Sequence, residues 1–454
     1  MWIPALNDSS QPRYLALVDA IAHAISCGEL KPGERLPPQR RLAWALGWNP
    51  STTLQAYREA ARRHLVSGEV GRGTYVLSGS QEATLFRLQQ VDEHAERIDL
   101  RTNIPAIDHA SHSDPRALQW LLDTHQSSRL QRYLSAADLL QARVLGAQWL
   151  TARGLPVPLD NIMLCAGAQH GLFTVLLSLC QAGEPVLVEA YTAPGIKAAC
   201  AQLRLPMHGV AMDAQGIVPE DFDRVIRATG ARMAVLTPTL HNPTSAVMAD
   251  ERKQAIARIA RRHGVWIIED DVYGALTDSP PLCNDLPELG ILVSSLSKTV
   301  AAGVRVGWIV APPSLLARID PQAQSAHWGI SPVCVAIANQ WISDGTALQR
   351  VRWQTEEVTR RWRLAKKLLG ASMYQIDTPS PHIWLTLAAG EIKLAEACRK
   401  ADVEVVSAEV FAVKSSALNA VRVSLTAAPS AQRLKEALER IAQIIDRGTP
   451  CAEK

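Results

Sequence analysis

Three short segments near the start of the chain carry apolar residues at helical spacing. These residues are Tyr14, Leu17, Val18, Ile21 and Ile25 in the first segment, Leu42 and Leu46 in the second, and Leu54, Tyr57, Ala61 and Leu65 in the third. Gly28 and Gly47 are placed to end the first two helices, and Pro38 suits the first position of the second helix. Two short helices joined by a tight glycine turn are typical of a helix-turn-helix.

A hairpin is predicted directly after the third helix. Residues 65–77 form two strand patterns around a glycine-rich tip, the arrangement called a wing. Guanidinium groups at 35, 40 and 72 can meet phosphates, and short hydroxyl side chains at the start of the third helix can reach base edges. The residues predicted to contact double-stranded DNA are Arg35, Gln39, Arg40, Ser51, Thr52, Thr53, Arg72 and Gly73. Each arginine alone also fits a solvated face of a small helical domain, but the ordered helices and wing favour DNA binding.

A different pattern fills the rest of the chain, after a stretch at 78–97 whose Ser, Gly and charged residues predict a linker. Short apolar runs alternate with helical patterns such as 169–180 and 250–263. The predicted strands are 161–166, 185–189, 232–237, 265–269, 291–295 and 306–310. This alternation predicts an α/β domain with a mainly parallel sheet, whose ligands lie at the carboxyl ends of the strands.

Charge is distributed unevenly between these two parts. The chain has 454 residues, of which 47% are hydrophobic, enough for two or three domains with large cores. Residues 1–77 hold nine Lys and Arg against six Asp and Glu, whereas the remainder has 38 of each kind. The whole positive excess therefore lies in the first part, which favours an anionic partner there.

Cysteine usage and the hydropathy of the chain bear on its compartment. The eight cysteines are scattered, without a Cys-x-x-Cys pair, as expected for reduced thiols and not for a disulfide framework or a zinc site. The first residues lack the pattern of a secretory signal, and no apolar run approaches the ~18 residues that cross a bilayer. We expect a cytoplasmic protein without a membrane segment or a bound metal.

Lys298 is the most informative residue for chemistry. It follows the apolar run 291–293 and lies among Ser, Gly and Ala residues, a poor setting for a solvated lysine. A partly buried lysine amine titrates low enough to condense with an aldehyde. Hydroxyl groups and bare backbone N–H groups nearby suit a phosphate. The stretch therefore predicts a pocket for pyridoxal 5'-phosphate.

Other polar residues also fall at predicted strand ends. Gly167, Ala168 and Gln169 join a strand to a helix, where N–H groups can hold a phosphate. Asp270 ends a strand and can pair with a protonated pyridine nitrogen. Asn242 lies in a turn where its amide can donate to a phenolate oxygen. Taken singly, each also fits an ordinary turn, a helix cap or a surface position.

The first part resembles the winged helix of GntR-type bacterial regulators. The resemblance rests on Gly-Glu-Leu-Lys-Pro-Gly-Glu-Arg-Leu-Pro-Pro-Gln-Arg at 28–40, Leu-Ala-Trp-Ala-Leu-Gly at 42–47 and Val-Gly-Arg-Gly-Thr-Tyr-Val at 70–76. The chain departs from the family at Pro50 and Gln55, where Arg is common, which bears on half-site preference more than on DNA binding.

The second part resembles the fold-type I aminotransferase family over about 98–440, through Gly-Ala-Gln, Asn-Pro-Thr, Asp-Asp-Val-Tyr and Ser-Leu-Ser-Lys in that order. The resemblance implies three catalytic residues, Lys298 as the Schiff-base lysine, Asp270 as the pyridinium partner, and Tyr273. It implies that Asn242 and Tyr273 bind the phenolate oxygen and that Arg422 grips a substrate carboxylate. The phosphate would be held by Gly167, Ala168, Gln169, Ser295 and Arg305, with Tyr133 reaching across a dimer interface. Arg422 alone also fits a strand arginine that faces solvent.

Two positions depart from the aminotransferase pattern. Ala193 stands where an aromatic ring usually stacks on the cofactor, so either Tyr191 substitutes for that ring or the stacking is lost, and Ser245 replaces the Gly expected after Asn-Pro-Thr. These changes leave cofactor capture plausible and weaken the case for efficient transamination.

The combination resembles the MocR-type transcriptional regulators. It implies a winged helix-turn-helix at 1–77, the linker at 78–97, a cofactor-binding large domain at 98–325 and a smaller α+β subdomain at 326–454. The resemblance implies a transcriptional regulator that senses an amine or amino-acid effector through the cofactor on Lys298. It also implies that the protein binds its operator as a head-to-tail homodimer. The alternatives are an aminotransferase with an accessory DNA-binding module, and a DNA-binding protein whose second domain holds no cofactor.

Overall fold

The computed structural model describes residues 2–4, 12–26, 29–31, 33–62, 65–69, 73–76, 97–109, 111, 113–124, 128, 131–319, 329–374, 377–387, 393–414 and 418–448. The chain forms two compact units, Met1–Gln90 and Val91–Lys454. The predicted linker lies almost wholly outside the described residues, which resume at Arg97.

The first unit is built from three helices and a hairpin. Its elements are α1 (Arg13–Ser26), α2 (Gln39–Leu46), α3 (Pro50–Arg62), β1 (Val66–Glu69) and β2 (Gly73–Val76). The strands pair antiparallel with Val66 opposite Val76, and the apolar faces of all three helices enclose one core. The predicted three helices and the two strands of the wing are thereby present, whereas the wing tip with Arg72 is outside the described residues.

The second unit alternates strands and helices. Its strands are β3 (Ile98–Asp99), β4 (Ile162–Cys165), β5 (Val186–Glu189), β6 (Met207–Val210), β7 (Met212–Asp213), β8 (Gly216–Ile217), β9 (Met233–Leu236), β10 (Trp266–Asp270), β11 (Gly290–Ser295), β12 (Gly307–Val310), β13 (His382–Thr386), β14 (Val403–Glu404), β15 (Val406–Ser407) and β16 (Ala420–Ser424). Its helices are α4 (Ser113–Asp123), α5 (Ala136–Ala152), α6 (Ala168–Leu179), α7 (Pro194–Gln202), α8 (Pro219–Thr229), α9 (Asp250–His263), α10 (Pro313–Leu316), α11 (Pro332–Ser343), α12 (Thr346–Leu369), α13 (Leu394–Lys400) and α14 (Ala431–Gly448). The described helices include none that is long and apolar enough to cross a membrane.

A seven-stranded sheet forms the centre of this unit, in the order β4-β12-β11-β10-β9-β5-β6. The β12 strand runs antiparallel to both of its neighbours, and the other pairs are parallel. Strands such as β5, β9 and β11 are buried along their whole length, as expected for a sheet covered on both faces. The predicted α/β fold with a mainly parallel sheet is confirmed, and the parallel strands end together at one edge.

The division between the larger and the smaller core differs from the predicted boundary at 325/326. Helix α11 and the start of α12 pack into the core that covers β4 and β12. The later part of α12, the sheet β13-β16-β15 and helices α13 and α14 form the smaller core, which also takes in Ile98 and Leu100. The boundary between the two cores therefore lies within α12, whose first turns pack into the larger core and whose last turns pack into the smaller one.

One buried ion pair stabilises the edge of the sheet. Arg153 Nη2 lies 2.9 Å from Asp271 Oδ1, and their side chains are 4% and 1% exposed. We expect Arg153→Ala to lower the free energy of unfolding by about 3–5 kcal/mol, because it leaves a buried carboxylate unpaired. Urea unfolding followed by circular dichroism measures this. Arg224→Ala, which removes an exposed pair with Asp221, should cost less than about 1 kcal/mol; equal effects of the two substitutions would contradict the expectation.

Candidate functional site

The candidate DNA-binding surface of the first unit combines helix starts with the wing. Arg35 and Arg40 are exposed, and Gln39 is half-buried. A Cβ atom on Gly73, which has φ +123°, would lie 2.5 Å from Arg35 Nε. Glycine at 73 therefore lets the Arg35 side chain lie along the wing strand, so the structure brings these two predicted residues together.

Hydroxyl side chains open helix α3, as predicted, but only two of the three reach the surface. Ser51 is exposed and Thr52 is half-buried. The Ser51 hydroxyl donates to Asn49 Oδ1 at 2.9 Å. Thr53 is 0% exposed, so the prediction that it contacts bases is wrong. Helical spacing puts Thr53 on the face of α3 that carries Ala56, Tyr57 and Ala60, and that face packs against the core.

Lys298 lies in the second unit just beyond the end of β11. Its Nζ donates to the backbone oxygen of Asn103 at 2.6 Å. Burial lowers the pKa of Lys298 to about 8, and the Arg422 and Arg305 guanidinium groups lower it too, whereas the Asp270 carboxylate raises it. Much more of the amine is therefore neutral at mildly alkaline pH than for an ordinary lysine, and this neutral fraction is available as a nucleophile.

Asp270 is the last residue of β10, one strand along from Lys298. Burial raises its pKa to about 7, and the neighbouring Asp271 carboxylate raises it further, while Lys298 opposes the shift. Oδ1 of Asp270 is buried and makes no hydrogen bond with the described residues. A buried carboxylate oxygen without a donor is a place for a cationic or N–H group of a ligand.

Arg422 reaches the same edge from β16 of the smaller core. Its Nη1 donates to Asn242 Oδ1 at 3.0 Å, and its Nη2 donates to the backbone oxygen of Arg101. Burial lowers the pKa of Arg422 to about 10, and its buried Nε makes no hydrogen bond with the described residues. A buried guanidinium held by neutral oxygens is suited to an anionic ligand, and the alternative of a solvent-facing arginine is excluded.

Tyr273 is hydrogen-bonded by Asn103, which also contacts His382, and the sequence motifs revealed neither of these two residues. Asn103 Nδ2 lies 2.9 Å from Tyr273 Oη and 3.1 Å from His382 Nδ1. Burial lowers the pKa of His382 to about 3, so its ring is neutral. Its Nε2 then donates to the backbone oxygen of His241 at 3.0 Å. Asn103 and His382 are 279 positions apart, and no local pattern links them.

A cradle forms where β4 meets helix α6. Gly167 has φ +83°, and a Cβ atom there would lie 2.9 Å from Arg305 Nη2. Arg305 Nη1 donates to Ser297 Oγ at 3.1 Å, and Ser295 Oγ accepts from Ser297 N at 3.3 Å. The cradle thus brings Gly167, Ser295 and Arg305 together, as predicted, and adds Ser297.

The start of α6 completes the cradle. Ala168 is half-buried and Gln169 is exposed in the first turn, where backbone N–H groups have no acceptor within the helix. The Gln169 side chain does not point its amide into the cradle; it donates to the backbone oxygen of Gly195 at 2.8 Å. N–H groups of a helix start beside an arginine are a place for a phosphate.

The positions that depart from the aminotransferase pattern are accommodated by local contacts. Ser245 has φ +64°, the conformation for which glycine is usual, and its hydroxyl donates to the backbone oxygen of His382 at 2.8 Å. Ala193 precedes helix α7 without offering a ring, and the Tyr191 ring lies 5.8 Å from that of Trp384. Tyr133 is 70% exposed, outside the group of residues around Lys298.

The aminotransferase class I and II family model matches residues 95–441. The chain belongs to this family. A model of bacterial regulatory proteins, the gntR family, matches residues 13–76. A GntR-type winged helix therefore precedes an aminotransferase class I and II domain, which is the arrangement of MocR-type transcriptional regulators and confirms the predicted resemblance.

Relatives and solved structures agree with this assignment. YdeF of Bacillus subtilis (strain 168), an HTH-type transcriptional regulator, is 26% identical over 453 residues, which are 98% of this chain and 97% of YdeF. PtsJ of Salmonella typhimurium (strain LT2), a vitamin B6 salvage pathway transcriptional repressor, is 25% identical over 90% of this chain and 93% of PtsJ. An archaeal alanine:glyoxylate aminotransferase has the same fold, with a TM-score of 0.74, 22% identity, and coverage of 82% of this chain and 96% of the enzyme.

Pyridoxal 5'-phosphate is the cofactor of the aminotransferase class I and II fold, as predicted. The residues present fit this group. Asp270 Oδ1 lacks a donor, which suits a pyridine N–H. A Cβ atom on Gly167 would push the Arg305 guanidinium out of the cradle, and the Lys298 amine lies at the same edge of the sheet as the cradle and Asp270.

The low pKa of Lys298 predicts how cofactor capture depends on pH. With cofactor-free full-length protein, the capture rate should rise with pH around a midpoint near 8, because only the neutral amine attacks the aldehyde. Asp270→Asn should move the midpoint lower, since the Asp270 charge favours the protonated amine. Stopped-flow absorbance gives the rates, with Asp160→Asn, a change at an exposed carboxylate, as the control. A midpoint near the ordinary lysine value of 10.5 would contradict the environment described.

The cradle at Gly167 predicts a phosphate-specific defect. Gly167→Ala should weaken pyridoxal 5'-phosphate binding about tenfold or more, because the added Cβ displaces Arg305 and costs a charge-assisted hydrogen bond. Binding of pyridoxal, which lacks the phosphate, should change little. Gly345→Ala is the control, because Gly345 also has φ +83° before a helix but open space around it. Equal losses for both ligands in Gly167→Ala, measured by equilibrium dialysis, would sink the assignment.

Proposed function

We propose that this protein is a transcriptional regulator that senses an amine or amino-acid effector through pyridoxal 5'-phosphate bound to Lys298. The observation that carries the proposal is the meeting of Lys298, Asp270 and Arg422 at one strand edge, in a chain whose other unit is a GntR-type domain. When bound, the cofactor supplies an aldehyde that exchanges one amine for another. An effector amine can therefore compete directly with Lys298.

Each residue around Lys298 has a part in this proposal. Asp270 holds a proton at the pyridine nitrogen, and Asn242 and Tyr273 contact the phenolate oxygen. Gly167, Ala168, Gln169, Ser295 and Arg305 hold the phosphate. Arg422 binds an effector carboxylate, which would replace the neutral Arg101 carbonyl that it now contacts. Such an exchange is favourable for a buried guanidinium, because the carboxylate neutralises it.

The proposal includes a head-to-tail homodimer. Tyr133 is exposed, and in this arrangement its hydroxyl reaches the phosphate site of the partner protomer. Helices α4 and α5 also carry exposed leucines, at 118, 122, 139 and 140, which an interface between protomers would cover. Two copies of the winged helix would then meet two half-sites of an operator.

Effector sensing requires that the effector prefer one state of the protein over another. The described part of the second unit begins at Arg97, whose guanidinium pairs with Asp402 at 3.6 Å and Glu404 at 3.1 Å. The connection to the winged helix therefore starts from the smaller core, and strand β16, which carries Arg422, packs Val421 and Val423 into the same core. A rearrangement of that core around an effector carboxylate thus has a covalent route to the DNA-binding unit.

An aminotransferase with an accessory DNA-binding module remains a second candidate. The observation in its favour is that Lys298, Asp270, Tyr273 and Arg422 lie together although Ala193 offers no ring for stacking. The two candidates differ in turnover. A regulator converts at most one equivalent of an amino acid, whereas an aminotransferase continues as long as a keto acid is supplied.

The regulator function predicts linked changes in absorbance and DNA affinity. An amino acid or alkylamine that changes the absorbance near ~420 nm, the region of the Lys298–cofactor chromophore, should change operator affinity about 5- to 150-fold. Lys298→Ala should abolish both responses and retain DNA binding without effector. Titration of the protein's own upstream DNA by fluorescence anisotropy gives the affinities. A compound that changes absorbance and turns over catalytically without altering DNA affinity would favour the aminotransferase.

The DNA-binding surface gives a separate prediction. Arg40→Ala should weaken binding to every DNA sequence alike and reduce the salt dependence by about one phosphate contact. Arg224→Ala removes an exposed positive charge from the second unit and is the control. If Arg40→Ala left the salt slope unchanged, Arg40 would not be a phosphate contact.

A further inference from the structure

One segment of the second unit runs directly past Lys298 and is pinned at both ends. We name residues 97–106 the strap. At its start, Ile98 N and Leu100 N donate to the backbone oxygens of Asp402 and Glu404, each at 2.9 Å. At its end, the Gln354 side chain bonds to Ala106 N at 3.1 Å and to Ala106 O at 2.5 Å. The middle of the strap is therefore held at a fixed place beside the site.

Asn103, in the middle of the strap, contacts both groups that react or bind there. Its backbone oxygen accepts from Lys298 Nζ at 2.6 Å. Its Nδ2 donates to Tyr273 Oη at 2.9 Å and to His382 Nδ1 at 3.1 Å. Asn103 is 5% exposed, so these bonds are made in a setting from which water is largely excluded.

The direction of these bonds determines what Tyr273 can do. The two Nδ2 protons of Asn103 serve two acceptors, and the neutral His382 ring cannot donate from Nδ1 while Nε2 donates to His241 O. Tyr273 Oη accordingly accepts from Asn103. Its own proton is left to donate to another oxygen, and the bond from Asn103 makes it a better donor by stabilising negative charge on Oη.

We propose that Asn103 is a positioning residue of the cofactor site, which holds the Tyr273 hydroxyl as a hydrogen-bond donor to the ligand and holds the Lys298 amine through its carbonyl. This inference rests on the proposed function, in which Tyr273 donates to the phenolate oxygen of pyridoxal 5'-phosphate on Lys298. It adds a residue of the strap, which leads to the DNA-binding unit, to the groups that sense the chemistry at Lys298.

Loss of the Asn103 side chain should raise the pH midpoint of the visible absorbance. Burial raises the pKa of Tyr273 to about 12, and the hydrogen bond from Asn103 lowers it. Without Asn103, Tyr273 is a weaker acid and a weaker donor. More negative charge then stays on the phenolate oxygen, so the nitrogen that joins Lys298 to the cofactor keeps its proton to higher pH. The pH midpoint of the visible absorbance should move upward.

The test is a pH titration of visible absorbance on full-length, cofactor-loaded protein. Asn103→Ala should raise the midpoint by about half a pH unit or more. Asn103→Leu, which is similar in size and removes the Nδ2 donor without adding a charge, should shift it in the same direction and serves if the alanine variant does not fold. Ile107→Ala, just beyond the strap and 57% exposed, is the control and should titrate as the wild type does.

A double-mutant cycle separates positioning from a general loosening of the site. Tyr273→Phe alone should raise the midpoint, and adding Asn103→Ala to it should give no further shift. If both Asn103 variants had the same pH midpoint as the wild type, or if the shifts added in the double variant, the inference would be overturned while the proposed function stood. A wild-type protein that takes up no cofactor would overturn both.

Discussion

The rest of the site depends on the burial of the Lys298 amine at the carboxyl edge of the sheet. A lysine in this position loses its proton at lower pH than an ordinary lysine, because burial and two nearby guanidinium groups oppose the charge more strongly than Asp270 supports it. The same burial keeps Asp270 in need of a donor and Arg422 in need of an anion. Each of the three groups therefore lacks a partner of a different kind. A cofactor with an aldehyde and a basic ring nitrogen would supply partners for Lys298 and Asp270, and the carboxylate of an effector would supply one for Arg422.

Topology explains how residues so far apart in sequence meet. Parallel strands β9, β10 and β11 end at one edge, and β4 joins them through the antiparallel β12, so that Ser295, Gly307 and Cys165 are in register. The smaller core contributes Arg422 and His382 from the paired strands β16 and β13. The strap then crosses from the smaller core to Lys298. Residues of both cores thus share one network of hydrogen bonds, which is a physical basis for linking ligand chemistry to the connection with the winged helix.

The sequence predicted those features that have a local pattern. Helix α9 has the bounds expected from its apolar spacing. The ends of six of the seven central strands lie within one residue of prediction, because these strands are short apolar runs between polar turns, whereas β6 was not predicted. Family motifs marked Asp270, Tyr273 and Lys298. By contrast, Asn103 and His382 are functional only through long-range contacts and carry no motif, and the change of core inside α12 leaves no break in a continuous helix. The burial of Thr53 could have been predicted, because its helical spacing to Tyr57 and Ala60 places it on the buried face of α3. It was instead assigned to the surface because it follows Ser51 and Thr52.

The most direct measurement of the central claim is the position of the covalent link. Full-length protein loaded with pyridoxal 5'-phosphate is reduced with borohydride, digested, and examined by mass spectrometry. The account predicts one pyridoxyl adduct, on the peptide that contains Lys298, with the other lysines unmodified. An adduct on a different lysine, such as Lys197 or Lys253, with Lys298 left free, would contradict it.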